Sequence, residues 1–290
     1  MPTPTIPVIY KYLPAEDYLP KILSGESLKF SSPLDFNDPF ECKPLCLIEL
    51  GKAGDRFLSQ GCKELGYSPA KRIKKKGELR RFQGRALPSG LESNMSELLK
   101  GIGISCFSEA RDSILMWAHY AAEHSGVCIG FDTTKHFFQT AWQVQYQDAL
   151  PIIYRPSDSP DTMLSKSLLT KSIHWKYERE WRIVRRTMTL EQQRATACKY
   201  AHCSSEELEV MANQNGPGFY RFPNQAISEV ILGVKMKPEK KLQVLRWIQE
   251  AKIEVPIYEA RRHPSEFRLE FTKHALHGGR LGGESRRAAS

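Results

Sequence analysis

The sequence predicts an α+β fold with a mixed or antiparallel central sheet flanked by helices. Short runs of β-branched and aromatic residues recur along the chain, which is typical of strands. Helical segments lie between them without a regular strand-helix-strand alternation, so a wholly parallel sheet is not favoured. The length of 290 residues and the hydrophobic content of 41% suit one large core. We expect a single domain over residues 1–272 and a flexible basic tail over residues 273–290.

The first hundred residues combine two strands, a helix and an insertion. Residues 8–12 and 28–31 are predicted strands, and residues 15–24 are a predicted helix that ends at Gly25. Residues 45–100 are rich in Lys and Arg and less clearly patterned, so we expect a helical basic insertion within the domain.

The later elements follow from the same signals. A mainly apolar run at 227–234 predicts a strand buried on both faces, and Pro238 suits the first turn of a helix. Asp112 or Ser113 is the expected N-cap of a helix over residues 114–124. The other predicted strands are 103–107, 127–131, 144–146, 152–154, 180–185, 257–259 and 267–271, and the other predicted helices are 163–173, 192–211 and 238–251.

The net charge of +9 is concentrated in two places. Segment 71–85, from Lys71 to Arg85, carries eight Lys or Arg and one Glu, and the tail from Lys273 carries four Lys or Arg and one Glu. The rest of the chain is close to neutral, so its composition does not by itself indicate nucleic-acid binding. Nucleic acid is a candidate partner of segment 71–85 alone, where a solvated basic helix is the commoner interpretation.

Cysteine usage and hydropathy predict a cytoplasmic protein. The seven cysteines are odd in number and lack a repeated spacing, which indicates scattered thiols in a reducing compartment. We recognise no secretory leader and no apolar run long enough to cross a bilayer, so no membrane partner is expected. His202 and Cys203 follow Cys198 at a spacing too irregular for zinc, and no structural metal is expected. The oligomeric state stays open.

The loop 36–41 is the first of three segments with candidate functional residues. Asn37 and Asp38 favour a tight turn, and Glu41 adds a second carboxylate. We predict that Asn37, Asp38 and Glu41 bind a ligand, although such a turn between two phenylalanines also makes a good structural corner.

The second segment joins a strand end at Ser108 to the helix 114–124. Helical spacing places His119 and Tyr120 on a polar face, so we predict them as catalytic residues and Ser108 and Trp117 as binding residues. A histidine at the edge of a core is the competing interpretation of His119. The face expected to pack on the sheet consists of Ile114, Leu115, Ala118, Ala121 and Ala122.

The third segment is an ionic and aromatic run. We predict Glu178 and Glu180 as catalytic acids and Lys171, Trp175 and Arg182 as binding residues, because rings beside carboxylates suit a ring-shaped ligand. Alternating salt bridges on a surface strand are the competing interpretation. In an extended chain the ionic face would consist of His174, Lys176, Glu178, Glu180 and Arg182.

Together these segments resemble a bacterial family catalogued as domain of unknown function 2971. The resemblance spans most of the chain from residue 8 to residue 270, and the family name implies no biochemical activity. The motifs that carry it are the run Tyr10, Lys11 and Tyr12, the loop 36–41, and the blocks 105–120, 126–132 and 175–182.

A more distant resemblance is to ADP-ribosyltransferases. In those enzymes a first strand carries a polar ligand residue, a second ends in Ser or Thr ahead of a helix, and a later segment carries a catalytic glutamate. The resemblance implies NAD as the substrate, and the chain departs from it where Tyr-Lys-Tyr replaces the usual arginine or histidine. The implied roles are Tyr10 or Lys11 on the first strand, Ser108 and Tyr120 in the second element, Glu180 or Glu178 as the acid, Tyr120 or Trp117 at the nicotinamide, and Arg182 or Lys171 at the pyrophosphate.

The leading hypothesis is therefore an ADP-ribosyltransferase-like or NAD-cleaving enzyme, with a role in phage defence or as a toxin as a further hypothesis. Two alternatives remain open. A metal-dependent nuclease or phosphodiesterase would gather carboxylates such as Asp38 and Glu41 with Glu178 and Glu180 around a divalent ion. A non-catalytic domain would use the same pocket to sense a small-molecule nucleotide or to contact a protein.

Overall fold

A computed structural model describes residues 4–85, 99–187 and 216–274. We number its strands and helices in chain order. The strands are β1 (Val8–Leu13), β2 (Leu28–Phe30), β3 (Leu45–Ile48), β4 (Ile102–Ser108), β5 (Val127–Asp132), β6 (Trp142–Gln143), β7 (Gln145–Gln147), β8 (Ile152–Arg155), β9 (Thr170–Ser172), β10 (Glu180–Arg186), β11 (Gly218–Tyr220), β12 (Ile227–Leu232), β13 (Ile257–Arg262) and β14 (Leu269–Lys273). The helices are α1 (Leu19–Leu23), α2 (Gly51–Glu64), α3 (Pro69–Arg80), α4 (Ile114–Tyr120), α5 (His136–Gln139), α6 (Pro160–Leu168) and α7 (Pro238–Glu250), with 3₁₀ helices at Pro33–Asp35, Ile173–Glu178 and Asn224–Ala226.

The central sheet has eight strands in the order β14-β13-β12-β5-β1-β4-β10-β6. Neighbours are antiparallel except β12 and β13, which are parallel. The prediction of an α+β fold with a mixed sheet is therefore confirmed. Three further pairs lie outside this sheet, β2 with β11, β3 with β8, and β7 with β9.

The two faces of the sheet differ in chemistry. On the core face, Ile9, Phe107, Phe131 and Ile183 pack in one large cluster against α1, α5 and α7. On the other face, which we call the site face, α4 covers a smaller cluster that includes Tyr12. Antiparallel partners point to the same side of a sheet, so register decides which residues share the site face.

The helix α4 departs from prediction in its length and its buried side. It ends at Tyr120 because the next residues, Ala122, Glu123 and His124, all have positive φ angles. The predicted apolar face was correct for Ala121, which is fully buried, but wrong for Ile114 and Leu115, which are 39% and 47% exposed. Met116 and Trp117 bury in their place. The Ser113 hydroxyl accepts a hydrogen bond from the Met116 amide, as an N-cap should.

Other helix boundaries differ from the predicted ones. Helix α1 begins at Leu19 rather than at residue 15. Helix α6 begins at Pro160, where Ser159 caps the Thr162 amide, and it gives way to β9 before residue 173. The strand 227–234 and the helix from Pro238 are confirmed, with β12 almost wholly buried.

The predicted insertion is helical only in part. Residues Leu45–Ile48 form β3, which pairs in parallel with β8. The helices α2 and α3 follow, and α3 has no buried residue. The chain returns beside its start, because Ile48 forms a bridge with Gln83 and the Gly84 amide donates to the Ile48 carbonyl.

Some predictions lie outside the described residues. They concern the helix 192–211, the Cys198, His202 and Cys203 group, and the tail beyond His274. Within the described parts of the chain, none of the helices combines the length and apolar composition that crossing a membrane requires.

Candidate functional site

A cavity of about 410 Å³ opens on the site face. Its walls come from β1, β4, β10, α4 and the loop that follows β2, so it joins all three predicted segments. The predicted site residues that line it are Tyr10, Lys11, Asn37, Glu41, Ser108, Tyr120, Lys171, Glu178 and Glu180. Other lining residues are Tyr12, Asp35, Phe36, Cys106, Phe107 and Met116.

Three polar residues form a row across neighbouring strands of this cavity. Tyr10 of β1 is the register partner of Ser108 of β4, and Ser108 is the register partner of Glu180 of β10. Partners in register lie side by side on one face, so a phenol, a hydroxyl and a carboxylate follow one another across the sheet. Burial, and then a hydrogen bond with Glu229, raise the pKa of Tyr10.

Five charged residues form a buried ionic cluster behind the row, namely Glu41, Lys171, Glu178, Glu180 and Arg182. Each is at most 7% exposed. The Lys171 Nζ atom donates to Glu178 Oε2 at 2.5 Å and to Glu180 Oε2 at 3.0 Å. The Arg182 Nε atom donates to Glu180 Oε1 at 2.8 Å, and its Nη2 atom bonds Glu41. The carboxylates at the cavity wall are therefore paired with cations, and the described residues contain no group of three or more His, Cys, Asp or Glu placed to hold a metal ion.

The cluster holds three carboxylates against two cations. Burial raises the pKa of Glu180 although the Lys171 ammonium opposes it. Burial alone would lower the pKa of Lys171, but Glu180 and Glu178 outweigh it and raise that pKa. Burial lowers the pKa of Arg182 to about 9, which leaves the guanidinium protonated at neutral pH. Burial and ion pairing thus act in opposite directions on the charges of Glu180 and Lys171 beside the cavity.

A left-handed residue brings Glu178 and Glu180 to the same place. The segment Ile173–Glu178 is a 3₁₀ helix, so the prediction of an extended ionic face from residue 174 was wrong. Arg179 has φ 46° and ψ 52°, and this turn ends the helix before β10 begins. The Ser108 hydroxyl donates to the Glu178 carbonyl at 2.6 Å, and the Tyr120 hydroxyl donates to Glu178 Oε1 at 2.7 Å.

The loop 36–41 serves both as a corner and as a wall. The Asp38 carboxylate accepts the Phe40 amide at 2.9 Å, so Asp38 closes the turn and does not line the cavity. Asn37 and Glu41 do line it.

Lys11 supplies a cation without a carboxylate partner among the described residues. The strands β1 and β4 share only the register pair Tyr10 and Ser108. Beyond this pair, the Lys11 side chain reaches from β1 to β4. Its Nζ atom donates to the Cys106 carbonyl at 2.9 Å and to the Ser105 hydroxyl at 3.2 Å. Burial lowers the pKa of Lys11.

Residues 116–183 match the family described as protein of unknown function (DUF2971). This match supports the predicted resemblance to DUF2971 over that segment, which includes Tyr120, Lys171, Glu178 and Glu180. It gives no support to the ADP-ribosyltransferase resemblance. The chain matches no curated protein and no solved structure. Tyr10 and Glu41, which complete the cavity, come from outside the DUF2971 segment.

Besides Asp38, four predicted residues lie away from the cavity lining. Trp117 is fully buried and donates its Nε1 hydrogen to the Arg111 carbonyl at 2.9 Å, so it is a core residue. Arg182 lies behind the cavity, where Glu41, Glu180 and the Leu168 carbonyl occupy it. His119 is exposed and Trp175 is half-buried beside the opening.

Three residues at the site were not among the predicted site residues, although Tyr12 and Cys106 lie within the motifs named above. Tyr12 and Cys106 line the cavity, and the Tyr146 hydroxyl accepts the Glu180 amide at 2.8 Å. Alternation of side chains along β1 and β4 could have indicated Tyr12 and Cys106, which share a face with Tyr10 and Ser108. No local signal indicates Tyr146, because β7 approaches β10 only in the folded chain.

Proposed function

We propose that the cavity binds NAD and cleaves the bond between nicotinamide and ribose, either to transfer ADP-ribose or to hydrolyse NAD. The observation that carries the proposal is the row of Tyr10, Ser108 and Glu180 on three adjacent strands. The ADP-ribosyltransferase resemblance implied these three elements from their order in the chain, and their register places them side by side.

The chemistry requires a carboxylate beside the ribose. When the C1′–N bond breaks, nicotinamide leaves with the bonding electron pair and the ribose becomes an oxocarbenium-like cation. A fixed negative charge stabilises that cation without reorganising during the reaction. Lys171 and Arg182 hold the Glu180 carboxylate in place at the cavity wall. Water or another acceptor then attacks C1′ and loses a proton to the solvent.

The remaining walls suit the rest of the nicotinamide half of NAD. Aromatic rings at Tyr10, Phe36 and Tyr120 can hold a planar ring. The cavity volume lies within the roughly 300–1,000 Å³ of small-molecule sites. Lys11 is the better candidate for the pyrophosphate, because Lys171 and Arg182 are already occupied by carboxylates.

The decisive measurement is nicotinamide release by the purified protein. We expect Glu180→Gln to lower the rate by about 100-fold or more, as removal of an electrostatic group from a transition state does. Glu178→Gln tests the neighbouring carboxylate, and NAD affinity by calorimetry should change little in both variants. EDTA should leave the rate unchanged.

The matched control is Glu259→Gln, since Glu259 is paired with Lys241 at 3.0 Å on the far side of the sheet. Urea unfolding of every variant separates lost chemistry from lost folding. Wild-type protein that releases no nicotinamide, with or without cell extract as acceptor, would contradict the proposal.

A second candidate function is binding of the nucleotide without turnover. The observation that favours it is the saturation of Glu178 and Glu180, whose oxygens all accept hydrogen bonds. Calorimetry that shows NAD binding in the absence of nicotinamide release would support this function. A nuclease is less suited, because a metal ion would have to displace Lys171 and Arg182 from the same carboxylates.

We also propose the helix α3 as a contact for nucleic acid. It lies on the surface, and Lys74 and Lys76 form no ion pair with any residue that the structure describes. If these lysines contact phosphates, Lys74→Ala with Lys76→Ala should weaken binding of duplex and single strands equally and reduce its dependence on salt.

A further inference from the structure

Three aromatic side chains lie in a row beside the cavity, and we call them the aromatic strip: His119, Tyr177 and Trp175. The ring centroids of His119 and Tyr177 are 6.2 Å apart, and those of Tyr177 and Trp175 are 6.0 Å apart. His119 is exposed, and the other two rings are half-buried. Tyr177 also packs against the smaller core cluster, so the strip is anchored at its middle ring while His119 and Trp175 present ring surface on either side.

The strip adjoins the mouth of the cavity through its sequence neighbours. His119 precedes Tyr120, and Tyr177 precedes Glu178, and both followers line the cavity. The Lys171 Nζ atom, which also lines it, lies 5.0 Å from the centre of the Trp175 ring. A polymer that lies along the strip would consequently pass the cavity opening.

Two exposed cations accompany the rings, Lys176 in the same short 3₁₀ helix and Arg179 directly after it. Lys176 forms no ion pair with any described residue, while Arg179 bonds Glu109 at 2.7 Å in an exposed pair. Exposed ion pairs are weak and readily exchanged for a ligand anion. Rings alternate here with positive charge, which is the arrangement that holds unpaired bases and their phosphates.

We propose that the aromatic strip binds single-stranded nucleic acid by stacking its bases, and so places the strand at the mouth of the cavity. A duplex would present phosphates to Lys176 but keep its bases stacked on each other and away from the rings. If the proposed function holds, the bound strand is also the acceptor of ADP-ribose. Binding of the strand to the aromatic strip does not depend on the proposed function.

The test is fluorescence anisotropy of a labelled 12-nucleotide single strand, as DNA and as RNA, with the full chain and no NAD. We expect Trp175→Ala and Tyr177→Ala each to raise the Kd by about 5- to 100-fold, the effect of losing one stacked base. Trp175→Phe should retain most of the affinity. Binding of the duplex of the same sequence should be unaffected by all three variants.

The matched control is Phe267→Ala, a fully exposed ring between β13 and β14 at the opposite edge of the sheet. The proposal is overturned if Trp175→Ala and Tyr177→Ala behave like this control, or if they weaken duplex binding as much as single-strand binding. It is also overturned if those variants weaken NAD binding in calorimetry and not oligonucleotide binding, since the strip would then hold the adenine of NAD. Nicotinamide release without oligonucleotide tests the proposed function separately.

Discussion

The two faces of strand β10 show how one strand serves two different environments. Trp181 and Ile183 point into the core face, where they are 5% and 0% exposed. Glu180 and Arg182 alternate with them and are just as buried, at 3% and 0%, on the site face. The core face gains stability from burial of apolar area. On the site face, burial instead removes the hydration of the charges, and the ion pairs offset that loss of free energy.

This difference indicates where the protein gives up stability for another purpose. Well-packed apolar residues often replace a buried ion cluster without loss, so such a cluster is weak evidence for a stabilising role. Glu180 lines the cavity and Arg182 bonds Glu180 from behind, whereas Trp181 and Ile183 do not line it. Under the proposed function, the ionic face of β10 serves the ligand and the apolar face serves the fold.

The largest expected effect is that of Arg182→Met, which leaves Glu41 and Glu180 buried without their shared cation. We expect a loss of about 3–5 kcal/mol in the free energy of unfolding, measured with urea. Arg179→Met is the control, because Arg179 pairs with Glu109 at the surface. A loss no larger than that of the control would mean that water reaches the cluster and that the two faces are less different than their exposures indicate.

On the core face, Ile183→Ala should cost about 2–5 kcal/mol by leaving a cavity among packed side chains. Nicotinamide release per folded molecule should stay at the wild-type rate, because Ile183 points away from the site. The measurement combines urea unfolding with the release assay at a temperature well below the transition. A lower rate at full folding would show that the two faces are coupled.

A smaller effect is expected for Tyr120→Phe, which removes one hydrogen bond to Glu178 and should cost about 0.5–1.5 kcal/mol. Burial, and then the bond to Glu178, raise the pKa of the Tyr120 phenol above its ordinary value of 10.0. Its contribution is therefore fully present below pH 10.0 and is lost as the pH rises through the folded-state pKa.

The measurement is urea unfolding of wild type and Tyr120→Phe at pH 8, 9.5 and 11, in the same salt. The difference in stability should be equal at the first two values and smaller at the third. A difference that grows with pH would mean that the phenol is not the donor to Glu178.

The smallest effect belongs to the surface hairpin of α2 and α3. Arg80 and Asp55 form an exposed ion pair, so Arg80→Ala should leave the free energy of unfolding unchanged within error. The same urea titration provides the check. A clear loss would show that this hairpin, and not only β10, depends on charge pairing.

Much of the fold could be predicted because the strands of the central sheet carry their own signals. The runs at 103–107, 127–131 and 227–234 are apolar and β-branched, and each became a strand of that sheet. The buried side of α4 could not be predicted in the same way. Met116 and Trp117 bury because Tyr12 and Cys128 lie opposite them, and no pattern within the helix contains that information.

The site was located for reasons that were only partly correct. Glu178 and Glu180 were paired by the period of a strand, whereas a 3₁₀ helix and the left-handed Arg179 bring them together. Arg182 was expected to face a ligand, but two carboxylates and a carbonyl occupy it. Arg182 pairs with Glu41, which is distant in sequence, so local patterns could not reveal this ion pair.

The bridge between Ile48 and Gln83 has a practical consequence for purification and engineering. Because the chain leaves and rejoins the body at one point, residues 49–83 can be excised and their ends joined by a short linker. The excised piece contains most of the Lys and Arg of the basic segment 71–85. The shortened protein should therefore elute from a cation exchanger at much lower ionic strength. Its circular dichroism spectrum should keep the contribution of the eight-stranded sheet and lose that of the helices α2 and α3.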